Sequence, residues 1–154
     1  MCGIVGLLRL AGDPISETTI KSMMTAIAHR GPDGEGSWIE GNVALGHTRL
    51  AIIDLTDAGK QPMLSENGRY VLIYNGEIYN YQELRTELEN KNIRFKSKTD
   101  SEVLLNALIH WGTKALDRLN GMFAFAIWDS VEEDLFLVRD RYGIKPLYYA
   151  TVGN

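Results

Sequence analysis

A chain of 154 residues is long enough for one domain with a real core, and 45% hydrophobic with 23% charged residues excludes a disordered tail. Sixteen basic residues against 20 acidic ones give a net charge of −4, so the balance offers nothing to a nucleic-acid backbone. The single cysteine, Cys2, excludes an intramolecular disulfide and a multi-cysteine zinc site, and no apolar run approaches the ~18 residues of a membrane span.

The start, MCGIVGLLRL, has no basic segment ahead of its apolar run and no small-residue cleavage site, so it does not read as a signal peptide. The expected location is the cytoplasm, where a lone thiol stays reduced. Gly3 to Leu8 reads as a buried first strand. Ser16 suits the cap of a helix with Ile20, Met23, Met24 and Ile27 on one face. The segment HRGPDGEG, from His29 to Gly36, is too rich in glycine and proline to continue that helix.

Short strands are expected at Ser37–Glu40, Val43–His47 and Leu50–Asp54, with Gly41–Asn42 as a hairpin turn between the first two. Asp57 to Met63 reads as a loop. Tyr70 to Tyr74 reads as a strand that ends in Asn75–Gly76. Asn80 with Glu83, and Thr99 with Glu102, have the spacing of capping boxes and open two helices. A short helix is expected over Thr113–Leu119, followed by strands at Met122–Asp129, Leu135–Arg139 and Leu147–Thr151. The pattern is α+β. The chain ends at Val152–Gly153–Asn154 without a polar tail, which fits a natural end or a cut between domains.

Three places carry chemistry. Loss of Met1 would leave Cys2 with a thiol and a free amine on one residue, and such an amine has an ordinary pKa of about 7.7–8.0. It can take the thiol proton without a separate histidine. Cys2 taken alone also fits buried filler. Asn75–Gly76 offers a side-chain amide and an unhindered N–H as an oxyanion hole, or else a plain turn. Arg49 suits a bidentate carboxylate clamp, or a surface ion pair. Glu77 and Asp100 sit beside helix starts, where acids also serve the helix dipole. The histidines, His29, His47 and His110, are scattered, and no metal site is expected.

The segments MCGIVG, HRGPDG, HTRLAIIDL, AGKQPM, NGEIYNY, TDSEVLL, NGMFAFAIWD and RDRYGIKPLYY follow one another in this order. As a set they resemble the N-terminal glutaminase domain of glutamine-dependent asparagine synthetases, a class II glutamine amidotransferase of the N-terminal-nucleophile hydrolases. The resemblance covers residues 1–154 and implies a four-layer αββα sandwich. It implies Cys2 as nucleophile, Asn75 and Gly76 as oxyanion hole, and Arg49 on the glutamine α-carboxylate. Glu77 and Asp100 would surround the α-ammonium, with Arg30 and Asp33 as supporting residues.

The same resemblance implies glutamine as substrate, and no metal or organic cofactor for its hydrolysis. ATP and magnesium would belong to a C-terminal synthetase domain, whose S-G-G-x-D-S loop is absent from this sequence. The expected partners are glutamine and that synthetase domain, with no nucleic acid and no membrane; oligomeric state is left open, a homodimer included. Two alternatives stay open. One is the same glutaminase feeding a different carboxylate acceptor; the other is a non-catalytic glutamine-binding module.

Overall fold

The computed structural model describes residues 1–152. Residues 153–154, where the end of the chain was read as a natural terminus or a domain boundary, lie outside the described residues. Strands β1 (Gly3–Leu8), β2 (Gly34–Glu40) and β3 (Val43–Arg49) form an antiparallel sheet in the order β1-β3-β2. The β2–β3 hairpin turns over Gly41 and Asn42, and Gly41 takes the positive φ of 54° that the tight turn requires. Strands β4 (Met63–Leu64), β5 (Tyr70–Ile78), β6 (Gly121–Asp129) and β7 (Asp134–Arg139) form a second antiparallel sheet in that order.

Strand alternation makes each sheet two-faced. Val43 and Leu45 of β3 pack against Val71 and Ile73 of β5 and Ala126 and Trp128 of β6, forming the layer between the sheets. On the outside of the first sheet, helix α1 (Glu17–Ala26) buries Ile20 and Met24 against Ala44 and Val5. On the outside of the second, helices α2 (Tyr81–Glu89) and α3 (Asp100–Trp111) bury Leu84, Leu88 and Leu104 against Leu72, Phe123 and Phe125. Leu88, Leu104 and Phe125 are wholly buried, and each contributes about 1.5–3 kcal/mol of apolar burial. The result is a four-layer αββα sandwich, as expected. Among the described residues no helix is long and apolar enough to cross a membrane.

Two of the expected caps form: Ser16 accepts from the Thr19 N–H and Thr99 from the Glu102 N–H. The Asn80 box does not. Asn80 instead donates its amide to the Arg118 carbonyl and accepts from the Asn120 N–H, because a tertiary link to the start of β6 takes the side chain away from its own helix. Glu102 likewise turns to the N–H groups of Lys96 and Ser97.

Three strand expectations need correction. Leu50–Asp54 is not a strand, since Arg49 reaches past it to the carbonyls of Asp54 and Thr56 and folds the segment into a loop. Leu147–Thr151 has no strand partner among the described residues, and its Tyr148 and Tyr149 are exposed. Asn75–Gly76 neither ends a strand nor makes a turn. Strand β5 runs on to Ile78, because its ladder with β6 continues through Asn75↔Ala124 and Gly76↔Phe123.

Candidate active site

A cavity of about 160 Å³ opens where the two sheets meet, lined by Cys2, Arg49, Asn75, Gly76, Glu77 and Asp100, together with Met1, His47, Gln61, Tyr74 and Lys145 among others. Six of the eight residues singled out in the sequence therefore share one cavity. The other two, Arg30 and Asp33, do not line it, and Asp33 lines a neighbouring cavity that shares His47, Arg49 and Gln61 with it. Arg30 donates Nε to the Cys2 carbonyl at 3.1 Å, and Asp33 accepts the Ala51 N–H at 2.9 Å. HRGPDG thus packs onto the end of β3, where Pro32 bridges to Arg49.

Cys2 precedes β1, whose pairing with β3 puts Gly3 opposite Thr48. This fixes an otherwise mobile terminus. The Leu50 N–H lies 3.4 Å from Sγ, and Sγ lies 3.6 Å from the Leu50 carbonyl. Backbone of the loop after β3 therefore contacts the sulfur itself.

The orientation of the Gly76 N–H follows from the register. Phe123, opposite Gly76, exchanges hydrogen bonds with Asp140 on its far side, through its own N–H and carbonyl. The Gly76–Phe123 pair is therefore the non-hydrogen-bonded kind, and the Gly76 N–H points away from β6. Its even-numbered neighbours point the same way: the Tyr74 N–H donates to Gln61 Oε1 at 2.6 Å, and the Ile78 N–H to Asp100 Oδ2 at 3.0 Å. Strand β4 is only two residues long and pairs with Val71 and Leu72, so nothing in the sheet faces Gly76. A Cβ on Gly76 would lie 2.4 Å from the Met122 carbonyl oxygen, which keeps the position glycine. Asn75 is buried, on the face of β5 toward the first sheet. Both residues line the cavity with Cys2, and a side-chain amide and a free backbone N–H are donors of the kind that can bind a developing oxyanion.

Asp100 is buried at the start of α3, where its Oδ2 accepts from the Tyr74 hydroxyl at 2.6 Å as well as from Ile78. Burial pushes its carboxyl above the ordinary value, against the pull of those hydrogen bonds. Burial also raises the Tyr74 phenol well above its usual range, so it stays a donor. Arg49 is partly committed: Nη1 donates to the Thr56 carbonyl at 2.8 Å and Nη2 to the Asp54 carbonyl. Of its five N–H groups, three remain for a ligand. Glu77 is exposed at the rim.

The sequence did not single out His47, Gln61, Tyr74 or Lys145. His47 is buried, and burial lowers its pKa to about 4 despite the Tyr74 carbonyl, so it is neutral near pH 7. Its Nε2 lies 3.2 Å from that carbonyl and must carry the proton, leaving buried Nδ1 without a partner. His47, Gln61 and Lys145 stand inside the quoted HTRLAIIDL, AGKQPM and RDRYGIKPLYY segments, which was the only available signal.

A family profile described as a glutamine amidotransferase domain matches residues 1–154. The chain is 46% identical, over its whole length, to asparagine synthetase [glutamine-hydrolyzing] 1 of Bacillus subtilis (strain 168), of which it spans 25%. It is 37% identical over its whole length to a protein named amidase chry2 of Gibberella zeae, again spanning 25% of it. The chain thus spans about a quarter of the length of these curated relatives. Among solved structures, the glutamine phosphoribosylpyrophosphate amidotransferase of B. subtilis superposes with a TM-score of 0.77 at 22% identity, covering 95% of this chain and 38% of that one, a likeness of fold. Matched from end to end by the family profile, the chain belongs to the glutamine amidotransferase domain family.

Proposed function

We propose that residues 1–154 form a glutaminase domain that hydrolyses the side-chain amide of glutamine to glutamate and ammonia. The observation that supports this most is the Gly76 N–H, turned out of its sheet beside Asn75 in the cavity that holds Cys2. In the chain processed to Cys2, the Sγ proton passes to the α-amine as sulfur bonds to the amide carbon. The oxyanion lies between the Asn75 amide and the Gly76 N–H. Collapse breaks the C–N bond, the amine returns the proton to nitrogen, and ammonia leaves a γ-glutamyl thioester.

Water then attacks, its proton passing through the amine to sulfur, and glutamate is released. Glutamine's α-carboxylate fits the free N–H groups of Arg49, and its α-ammonium fits Asp100 and Glu77. Arg30 and Asp33 support the site. This half-reaction uses no metal or organic cofactor.

The ammonia goes to a synthetase domain outside this sequence, where ATP and magnesium would act, and the acceptor is aspartate. The name of the B. subtilis relative supports that choice. A second reading, ammonia delivered to another acceptor, is favoured by the relative named as an amidase. A cytoplasmic setting suits both. Glutamate release by the processed chain, lost in Cys2→Ala with an unchanged circular-dichroism spectrum, is the expected result; equal turnover in the variant overturns the mechanism.

A further inference from the structure

Lys145 is a buried lysine, 5% exposed, in the wall of the cavity that holds Cys2. The turn that carries it is tightly built. The Asp140 carboxylate accepts the N–H groups of Phe123, Tyr142, Ile144 and Lys145, and Arg139 Nε donates to the Lys145 carbonyl at 2.7 Å. Burial pushes the Asp140 carboxyl up, but these N–H groups outweigh it and leave the group below its ordinary value. The fold invests a whole anionic turn in keeping this side chain inside.

A buried ammonium is costly unless paired. Among the described residues Lys145 makes no salt bridge, and its Nζ meets only the Met1 sulfur, at 2.7 Å. A thioether is a weak acceptor. Most other charged groups of the cavity already have partners within the protein. Asp54 binds Thr56 and the Lys98 N–H, and Asp100 binds Tyr74 and Ile78. Arg49 is held in part by its loop, His47 is neutral, and Glu77 is exposed. Met1 Sδ is five bonds from the Cys2 nitrogen, which puts Lys145 Nζ within ~9 Å of that nitrogen even with Met1 fully extended.

We propose that, once Met1 is removed, Lys145 is the counter-charge of Cys2: its ammonium stabilises the negative charge that develops on Sγ as its proton passes to the α-amine. Lys145 acts through Cys2 and touches no substrate atom, and the assignment rests on the glutaminase reading only for its effect on turnover.

The test compares processed wild-type chain with Lys145→Met and Lys145→Arg. Cys2 is alkylated with anionic iodoacetate and with neutral iodoacetamide across a pH series, and kcat and KM for glutamine are measured alongside. A nearby cation favours the anionic reagent and the thiolate, so Lys145→Met should lower the iodoacetate-to-iodoacetamide rate ratio by at least about fivefold and move the alkylation profile to higher pH. It should lower kcat by about tenfold or more while KM stays within about twofold.

Lys145→Arg should keep the wild-type ratio, and should do so even if the methionine variant fails to fold. An unchanged ratio and pH profile in folded Lys145→Met, or a fallen ratio in Lys145→Arg, overturns the assignment. The alkylation arms report on Lys145 whether or not the wild type hydrolyses glutamine. Loss of glutaminase in the wild type therefore counts against the proposed function alone.

Discussion

His47 Nε2 donates to the Tyr74 carbonyl across 3.2 Å, and that bond ties β3 of one sheet to β5 of the other beside the cavity. It requires a neutral ring in a buried place. Histidine in the unfolded chain titrates near 6.5 and His47 in the fold near 4. Between those values the unfolded chain binds more protons. Stability from this group is therefore complete above pH 6.5 and is lost as pH falls toward 4. The loss should reach ~2–3 kcal/mol near pH 4.5. His47→Gln keeps a donor for Tyr74 and cannot titrate, so urea unfolding near pH 7 and near pH 4.5 should show a smaller acid loss in the variant by that amount. Parallel acid loss in both proteins would place the titration elsewhere.

Asn75→Ala removes one side-chain donor from the cavity and leaves the ladder with β6 in place. The expected outcome is a fall of ~100–1000-fold in kcat with little change in KM, the scale for one oxyanion donor. Steady-state kinetics on the processed chain measures it. Gly76→Ala should behave differently, because its Cβ meets the Met122 carbonyl oxygen at 2.4 Å. A lowered melting temperature should accompany the loss of activity there.

On the proposed function, Asp100→Asn and Arg49→Ala remove groups that would meet the substrate's charged ends before any bond changes. Both should raise KM by about tenfold or more, with a smaller effect on kcat. Arg49→Ala also frees the loop from Leu50 to Gly59, since the guanidinium binds the carbonyls of Asp54 and Thr56. Limited proteolysis should therefore cut that loop faster in Arg49→Ala and not in Asp100→Asn. A large fall in kcat at constant KM in either variant would contradict a binding role.

Chain that retains Met1 should be folded and inactive. Its Cys2 nitrogen is an amide, which accepts no proton near neutral pH, and Met1 itself lines the cavity against Lys145. Intact-mass spectrometry gives the processed fraction, and a thiol-directed glutamine analogue counts reactive sites. The two fractions should agree across preparations. Full labelling and turnover with Met1 in place would mean that another group is the base.

What the sequence made legible was local. Ser16 and Thr99 cap their helices as their spacing suggests, and the apolar Gly3–Leu8 run is a strand. The four layers were legible only as what the family resemblance implies, since the pattern of elements gave no more than α+β. Where local preference met a tertiary partner, the partner won. Asn75–Gly76 has turn chemistry, yet nine paired residues of β6 hold it extended. Asn80 has cap chemistry, yet Arg118 and Asn120 claim its side chain. The ordered motifs brought Cys2, Arg49, Asn75, Gly76, Glu77 and Asp100 to one cavity, but could not reveal that Lys145 is buried there. Most lysines are exposed, and only the Asp140 turn, formed through bonds to β6, draws this one inward.

The shortness of β4 has a consequence for solubility as well as for chemistry. A strand edge left without a neighbour is a template on which a second chain can add. From Tyr74 onward β5 has such an edge, because the two residues of β4 reach only Val71 and Leu72. Side chains stand in for the missing strand: Gln61 occupies the Tyr74 N–H and Asp100 the Ile78 N–H. An incoming strand would find the Gly76 donor between two plugged positions, too little for a ladder. The protein can thus present one bare backbone N–H to a small molecule without offering a row of them to its own kind.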